Sequence, residues 1–409
     1  MKRLVILGAG YAGIQATRRA ERAEGDIDIT LVDQNGYHQL VTEMYRVVAG
    51  EVDEEALTLP VRHLIDTERV TFRRASVKEI RRGAHLVATD AGDVPYDALV
   101  IALGSEPEYY HVPGAARYAY TLQYIDSARR LRHRLGELMG REKAPRVVVV
   151  GGGLTGVELI AEIGEYLTHH FPRQTVHPLT LVQAAPQILP EETDDLVRYA
   201  EKVMGGFDID IREATPVKEV GSRAVVLGDG TVLPSDLTIW AGGVRANAVP
   251  CRSGLPADKR GRIEVDLALQ VKGSEGVFAA GDVALALDPS SGRPLPPTAQ
   301  LAVAGGRVAG DNAVALLEGR ALRTFRPKGL GVIASLGRTR GVADFRRFRL
   351  KGRAAMVAKK LALWRYLIGV EGIGMGFREV PFSWWQAGPE DHAYARPAND
   401  RVRNRSLGP

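Results

Sequence analysis

Residues 2–13 read KRLVILGAGYAG, a short apolar run that leads directly into three glycines with the spacing G-x-G-x-x-G. The run Lys2–Leu7 predicts a strand, and the stretch after Gly13 has the character of a helix. Gly8 permits a tight turn, Gly10 lets the backbone approach a pyrophosphate, and Gly13 lets helix and strand pack closely. The pattern therefore predicts a strand–turn–helix unit that binds a dinucleotide.

A second copy of this pattern follows 143 residues later. Residues 147–158 read VVVVGGGLTGVE, so Gly151, Gly153 and Gly156 repeat the spacing after another apolar run. One such motif is weak evidence, because glycine-rich strand ends are common. Two copies in the full strand–turn–helix context make structural turns alone a poor explanation. They predict an α/β chain with two Rossmann-like dinucleotide-binding domains.

The end of the next strand in each unit bears on which nucleotide binds. Ile27–Val32 leads into Asp33, 20 residues past Gly13, where a carboxylate can hold a ribose 2′-hydroxyl. The first unit is therefore expected to bind a nucleotide with a free 2′-hydroxyl, such as FAD. In the second unit Leu179–Val182 ends at Gln183. A neutral amide accepts a free 2′-hydroxyl or, beside a cation, a 2′-phosphate, so NADH and NADPH both stay open.

Two further predicted strands end at turns that suit a flavin. Residues 97–102 form an apolar stretch that ends beside Gly104, and residues 275–280 run through Gly281 into Asp282. An acid in that setting commonly accepts hydrogen bonds from the ribityl hydroxyls of a flavin. The alternative role for Asp282 is to cap the helix that follows.

Composition excludes several classes of protein. The 409 residues include a single cysteine, Cys251, which rules out a disulfide scaffold, a cysteine-based zinc site and an intrachain dithiol pair. No metal site is predicted. No apolar run approaches the length of about 18 residues that a membrane-spanning helix needs. The start of the chain has too short an apolar segment for a signal peptide, so the cytoplasmic side is the expected location.

Taken together, the motifs resemble the two-dinucleotide-binding-domain flavoproteins, and within them the type II NADH:quinone oxidoreductases, which are single-subunit peripheral membrane enzymes. The resemblance runs from residue 1 to about residue 385. Four strings carry it: GGGLTGVEL at 151–159, IWAGGVR at 239–245, PPTAQLA at 296–302 and IGMGF at 373–377. It implies an FAD-binding domain at 1–112 and 268–330, an NAD(P)H-binding domain at 113–267, a membrane-docking α+β region at 331–387 and a loose tail at 388–409.

The resemblance also implies roles for single residues. The positions that match the surroundings of FAD are Gly8, Gly10, Gly13, Asp33, Gly104, Asp282 and Ala299. The positions that match the surroundings of the nicotinamide nucleotide are Gly151, Gly153, Gly156, Gln183, Gly242 and Gly243. Glu158 matches a carboxylate near the flavin ring that is implicated in coupling the two half-reactions. Its ordinary role would be a glutamate that interacts with the helix dipole in a first turn.

Two positions depart from the family. Gln183 stands where the family usually has an acid, which makes acceptance of NADPH a reasonable expectation. The quinone-site pattern Ala-Gln-x-Ala-x-Gln appears as residues 299–304, with Gln300 in the first amide position and Ala304 in place of the second. A methyl group cannot donate a hydrogen bond to a quinone carbonyl, so the contact with the head group must weaken, shift or pass to another residue.

The C-terminal part of the chain is basic. Residues 320–365 contain fourteen Lys or Arg against one acid, or +13, so the remainder carries 5 − 13 = −8. Residues 351–368 predict a helix with an apolar stripe at Val357, Leu361, Trp364 and Ile368, and with Lys359, Lys360 and Arg365 around it. Residues 350–369 are therefore expected to dock on an anionic membrane surface. The alternatives are packing on the rest of the chain or on a second copy in a homodimer; no motif indicates nucleic acid.

The expected activity is transfer of two electrons from NADH, with NADPH as an alternative donor, through FAD to a membrane quinone without proton pumping. Two other interpretations stay open. The acceptor could be soluble, such as a ferredoxin, a rubredoxin or oxygen, which Ala304 favours. The chain could also be a flavin-bound redox sensor with little turnover.

Overall fold

A strand, a glycine turn and a helix open the chain as predicted. Strand β1 (Lys2–Leu7) is buried from Leu4 onward, and helix α1 (Tyr11–Ala20) begins directly after Gly10. This computed structural model describes residues 1–140, 144–171, 178–327, 329, 331–345 and 347–371. The predicted tail at 388–409 and the string at 373–377 lie outside the described residues.

Strands and short helices make up most of the remaining chain. The strands after β1 are β2 (Ile27–Asp33), β3 (Tyr37–Gln39), β4 (Thr58–Pro60), β5 (Val70–Arg74), β6 (Val77–Arg81), β7 (Leu86–Thr89), β8 (Val94–Pro95), β9 (Ala98–Ile101), β10 (Ser105–Pro107), β11 (Val147–Val150), β12 (Leu179–Val182), β13 (Ile209–Arg212), β14 (Val217–Val220), β15 (Ala224–Leu227), β16 (Val232–Pro234), β17 (Leu237–Trp240), β18 (Val244–Ala246), β19 (Ile263–Glu264), β20 (Val277–Ala279), β21 (Ala284–Leu285), β22 (Val332–Ser335), β23 (Gly341–Asp344) and β24 (Arg349–Lys351). The helices after α1 are α2 (Met44–Val48), α3 (Val61–Leu64), α4 (Ala115–Tyr118), α5 (Ile125–Met139), α6 (Leu154–His170), α7 (Asp194–Gly205), α8 (Ala248–Arg252), α9 (Ala299–Leu317) and α10 (Arg353–Glu371).

The chain divides into two units whose segments alternate along the sequence. Among the described residues, the first unit comprises 1–39, 58–107 and 244–330, and the second comprises 40–57, 108–243 and 331–371. Two segments fall differently from the predicted domain boundaries. Residues 244–267 lie in the first unit, because β18 pairs antiparallel with β10. Residues 40–57 lie in the second unit, because α2 packs against α5 and α6.

The first unit is built on a parallel sheet of five strands in the order β20-β9-β1-β2-β5. Its central strands are buried on both faces, as Leu4–Leu7 and Ala98–Ile101 show, which is typical of a parallel sheet covered by helices. Helices α1 and α9 pack closely on each other. A side chain on Gly306 or Gly310 would overlap the backbone of α1, so these two glycines set that close approach.

The second unit repeats the plan with four parallel strands in the order β13-β12-β11-β17. Val147–Val150 is buried throughout, and helix α6 follows the second glycine turn. Each unit also contains a three-stranded antiparallel sheet, β6-β7-β8 in the first and β14-β15-β16 in the second.

The described C-terminal region belongs to the second unit and is α+β, as predicted. Strands β22, β23 and β24 form an antiparallel sheet, and α10 packs on β22 and β23. The predicted helix at 351–368 corresponds to α10, which begins after the turn at Gly352 and runs to Glu371. None of the described helices is long and apolar enough to cross a bilayer.

Candidate functional site

The first glycine loop has a shape that only small residues allow. Gly8 has a φ of +100°, and a Cβ on it would overlap the carbonyl oxygen of Ala102 at the end of β9. A Cβ on Gly13 would overlap the carbonyl oxygen of Gly8, so helix α1 can start this close to β1 only with glycine there. Gly10 is different, because a Cβ on it would meet no described atom within 4 Å. No described side chain caps the start of α1, which leaves space and backbone amides for an anion.

Asp33 lies beside this loop at the end of β2. One carboxylate oxygen accepts from the amide of Ala9 at 2.7 Å, and the other accepts from the amide of Asn35 at 2.7 Å. Burial raises the pKa of Asp33, and the two amide hydrogen bonds oppose that rise. The carboxylate is thus held against the loop, and each oxygen keeps a lone pair for a further donor.

Asp282 and the start of α9 line one small cavity in the same unit. Ser105 donates a hydrogen bond to the Asp282 carboxylate at 2.8 Å, and burial raises the pKa of that carboxyl group. Asp282 lies in a 3-10 turn at Gly281–Val283, so capping of a long helix, the alternative role, does not apply. Thr298 caps α9 and lines the cavity together with Asp282, while Gln300 lies exposed in the first turn of α9.

The second glycine loop repeats the geometry of the first. Gly151 has a φ of +110°, and a Cβ on Gly156 would overlap the carbonyl oxygen of Gly151. A Cβ on Gly153 would meet no described atom within 4 Å, and no described side chain caps the start of α6. Gln183 takes the place that Asp33 has in the first unit. Its Oε1 accepts from the amide of Gly152 at 3.1 Å, and its Nε2 donates to the carbonyl of Gln187 at 3.3 Å.

The predicted turn at residues 241–243 follows β17 and is held by neighbouring aromatic residues. The indole Nε1 of Trp240 donates to the carbonyl of Glu108 at 2.7 Å, and the amide of Glu108 donates to the carbonyl of Gly243 at 3.0 Å. A Cβ on Gly242 would press on the Trp240 indole at 3.1 Å, and one on Gly243 would meet the hydroxyl of Tyr110 at 2.8 Å. Gly243 also has a φ of +136°, so its backbone favours glycine, whereas a side chain on Gly242 would need the indole to shift.

Glu158 takes part in a buried ion pair that the sequence did not reveal. Its Oε1 accepts from the amide of Ser335 at 3.0 Å and from the Ser335 hydroxyl at 3.2 Å. Lys359, from α10, pairs with the same oxygen and lies 4.6 Å from the centre of the Tyr45 ring. The side chains of Lys359 and Glu158 are only 12% and 9% exposed. Burial alone would lower the pKa of Lys359, but Glu158, Tyr45 and Glu43 raise it overall.

This contact corrects one expectation about the basic helix. Lys359 was predicted among the cations around the apolar stripe of α10, and it instead points into the second unit. Lys360 is half-buried and lies near the charges of Arg46 and Glu51. Arg365 is exposed, as predicted. No local pattern could have distinguished Lys359 from its neighbours, because an amphipathic helix places lysine equally well in water or against a distant carboxylate.

Comparison with known proteins places the chain in a family. A family model of pyridine nucleotide-disulphide oxidoreductases matches residues 2–306. The type II NADH:quinone oxidoreductase of Staphylococcus saprophyticus is 30% identical over 398 residues, which cover 93% of this chain and 99% of that relative. The chain belongs to the type II NADH:quinone oxidoreductase family. This confirms the resemblance drawn from the glycine loops and their neighbouring strings.

Solved structures share the fold of this type II NADH:quinone oxidoreductase family member. NDH2 from Plasmodium falciparum in complex with NADH superimposes with a TM-score of 0.80 at 17% identity, covering 95% of this chain and 99% of that one. The sulfide:quinone oxidoreductase of Aquifex aeolicus gives a TM-score of 0.78 at 19% identity, with coverage of 91% and 92%. These likenesses confirm the mixed α/β fold with Rossmann-type domains.

Family membership also confirms the enzyme class and the cofactors. The chain is an NADH dehydrogenase-type oxidoreductase and a flavoprotein, with FAD and NADH as cofactors. The first glycine loop fits a dinucleotide, because the open space at Gly10 and the start of α1 that no described side chain caps form a cradle that a side chain would fill. The roles of single residues stay predictions.

Proposed function

We propose that this chain transfers two electrons from NADH through FAD to a membrane quinone without pumping protons. The observation that supports this most is the pair of glycine loops, each at the carboxyl end of a parallel sheet and each before a helix that no described side chain caps. Bound FAD supplies two-electron chemistry between a nicotinamide and a quinone. The chain supplies binding, orientation and control of charge.

The first unit is proposed to hold FAD. The backbone around Gly10 offers amides to the pyrophosphate, and Asp33 offers its free lone pairs to the ribose hydroxyls. Gly104 has a φ of +67° and open space at its Cβ position, which suits close approach of a ligand. Asp282, fixed by Ser105 at 2.8 Å, would accept from ribityl hydroxyls.

The second unit is proposed to hold NADH, with its pyrophosphate at the loop around Gly153. The side-chain amide of Gln183 is fixed at both ends, and its oxygen keeps a lone pair for a ribose hydroxyl. In the same region Glu213 accepts from the amide of Ile188 at 2.6 Å. A carboxylate near this loop repels a 2′-phosphate, so the geometry favours NADH over NADPH as the donor.

Glu158 is proposed to act as a hydrogen-bond acceptor that couples oxidation of NADH to reduction of the quinone. Its Oε1 is occupied by Ser335 and Lys359, whereas no described residue donates to its Oε2. Oε2 is therefore the atom that we expect to accept a further hydrogen bond.

The quinone is proposed to contact Gln300. This amide lies exposed at the start of α9, in the first turn after the cap at Thr298. Ala304 lies one turn later and offers only a methyl group. The single side-chain amide in the first two turns of this helix can therefore bond one carbonyl of a quinone head group.

The apolar stripe of α10 is proposed to dock on a membrane. Val357 and Leu361 are 50% and 46% exposed, whereas Lys359 and Leu367 on the other side of the helix face the second unit. Val357 and Leu361 are thus not used for packing on the chain itself, whereas Trp364 and Ile368 in the same stripe are half-buried. Exposed Arg365 suits the anionic headgroups of a cytoplasmic leaflet, which supports a peripheral location on the cytoplasmic side of the membrane.

The acceptor is tested by anaerobic reoxidation. Protein loaded with FAD is reduced with NADH, and a short-chain quinone or a ferredoxin is then added while flavin absorbance is followed. Quinone is expected to restore the oxidised spectrum, and Gln300→Ala is expected to slow that step without slowing reduction by NADH. Reoxidation by ferredoxin alone would favour the soluble-acceptor function that Ala304 suggests. Lack of reduction by NADH would leave only the sensor interpretation.

A further inference from the structure

A cavity of about 550 Å³ opens in the second unit, beside the first residues of β17. Its walls come from the segment around α4, from one face of α5 and from residues 235–238. The volume lies within the range of about 300–1,000 Å³ that is typical of small-molecule sites. Nothing in the proposed electron transfer uses this cavity.

Two guanidinium groups give the cavity an uncompensated positive charge. Arg117 and Arg130 both line it, and neither has an acidic partner among the described residues. Arg130 donates to the hydroxyl of Ser127 at 3.2 Å, and the Arg117 guanidinium lies 5.1 Å from the centre of the Tyr118 ring. Both contacts orient the guanidinium groups without neutralising them.

The other charges in the cavity cancel. Arg134 is paired with Glu137 at 2.8 Å, and Asp236 is paired with Arg146 at 2.9 Å. The two uncompensated arginines therefore set the sign of the potential inside the cavity. An anion is the ligand that this potential favours.

The walls are rich in hydroxyl and aromatic groups. Tyr118, Tyr120 and Thr121 contribute from the segment at α4, and Ser127 contributes from α5. Hydroxyl groups both donate and accept, which suits a ligand with several oxygen atoms. The tyrosine rings offer flat faces on which a base or a sugar can lie. Such a lining is unsuited to the apolar tail of a quinone.

The two arginines lie at the far end of β17 from the predicted nicotinamide site, and Tyr109, which also lines the cavity, lies 5.9 Å from the Trp240 ring near that site. Leu237 and Thr238, at the start of β17, line the cavity, whereas the turn with Gly242 and Gly243 follows the other end of the strand. Four strand residues span about 10 Å at roughly 3.3 Å per residue. A ligand bound beside Arg130 therefore need not displace the nucleotide at the glycine loop.

We propose that this cavity binds a phosphorylated metabolite of about the size of a nucleoside monophosphate. Its phosphate would lie between Arg117 and Arg130, where planar guanidinium groups can make paired hydrogen bonds to phosphate oxygens. Its sugar or base would lie against the hydroxyl and tyrosine wall.

The test is calorimetric titration of the full chain loaded with FAD and saturated with NAD⁺, so that both nucleotide loops are filled. The probes are AMP and ribose 5-phosphate. One site per chain is expected for at least one probe. Arg117→Gln and Arg130→Gln should each weaken binding about tenfold, and the double variant about a hundredfold if their effects add.

Arg129→Gln is the matched control. Arg129 precedes Arg130 on α5, is paired with Glu54 and Asp126, and does not line the cavity. It should leave the affinity unchanged, and all variants should keep the melting temperature of the wild type. The proposal is overturned if neither probe binds in the presence of NAD⁺, or if the double variant binds as tightly as the wild type.

Discussion

We predict that breaking the buried ion pair of Glu158 and Lys359 lowers the free energy of unfolding by a measurable amount. Lys359→Met removes the ammonium and keeps most of the side-chain volume, which leaves the Glu158 carboxylate in a site where it is 9% exposed. Breaking a buried ion pair costs about 3–5 kcal/mol. Ser335 still donates two hydrogen bonds to the carboxylate. We therefore expect a loss at the lower end of this range, about 3 kcal/mol of the free energy of unfolding.

The assay is a double-mutant cycle with Lys359→Met, Glu158→Gln and the combined variant. Urea unfolding of the FAD-loaded protein is followed by intrinsic fluorescence. The combined variant should recover a large part of the loss, because it buries no uncompensated charge, and the coupling free energy should be about 2 kcal/mol or more. A coupling free energy below about 0.5 kcal/mol would instead show that the pair is screened by water, as at a protein surface.

Three further predictions concern the donor, the membrane and acid stability. Gln183→Glu should shift the ratio of NADH to NADPH rates toward NADH, because it adds a carboxylate where a 2′-phosphate would lie. An unchanged ratio would show that residue 183 does not select between the two nucleotides. The double variant Val357→Asp, Leu361→Asp should weaken binding to anionic vesicles at least tenfold. The control Val232→Asp, at another exposed valine, should leave that binding unchanged. If the double variant instead changes the oligomeric state, the stripe joins two copies of the chain. Burial lowers the pKa of His38 from 6.5 to about 4, so between these pH values the unfolded chain binds a proton that the folded chain does not. The free energy of unfolding should therefore fall by about 1.4 kcal/mol for each pH unit from pH 6.5 towards 4. The variant His38→Gln should flatten that slope in urea titrations.

The parts of the fold that depend on neighbouring residues could be predicted from the sequence. The glycine loops at Gly8 and Gly151 lie between strand and helix as expected, because the spacing of glycines sets a local turn. Asp33 and Gln183 lie beside those loops in a similar way, since Asp33 ends β2 and Gln183 directly follows β12, the strands next to β1 and β11. These features depend only on the order of the strands and on the alternation of strand and helix along the chain.

Contacts between distant parts of the chain could not be predicted in this way. Lys359 meets Glu158 across 201 residues, and nothing in the sequence near either residue indicates the other. The boundary after residue 243, where the chain passes into the first unit, depends on the pairing of β18 with β10, two three-residue strands too short to show a pattern. Gly306 and Gly310 set the packing of α9 on α1, but in the sequence they resemble any small residues in a helix.

The proposed electron transfer requires that the first glycine loop binds FAD and that the second binds NADH. Anaerobic titration of the purified, FAD-loaded chain with NADH, with flavin absorbance as the readout, measures both. We expect one FAD per chain and complete loss of the oxidised flavin spectrum after one equivalent of NADH. A chain that takes up no FAD, or whose flavin stays oxidised in excess NADH, would contradict it.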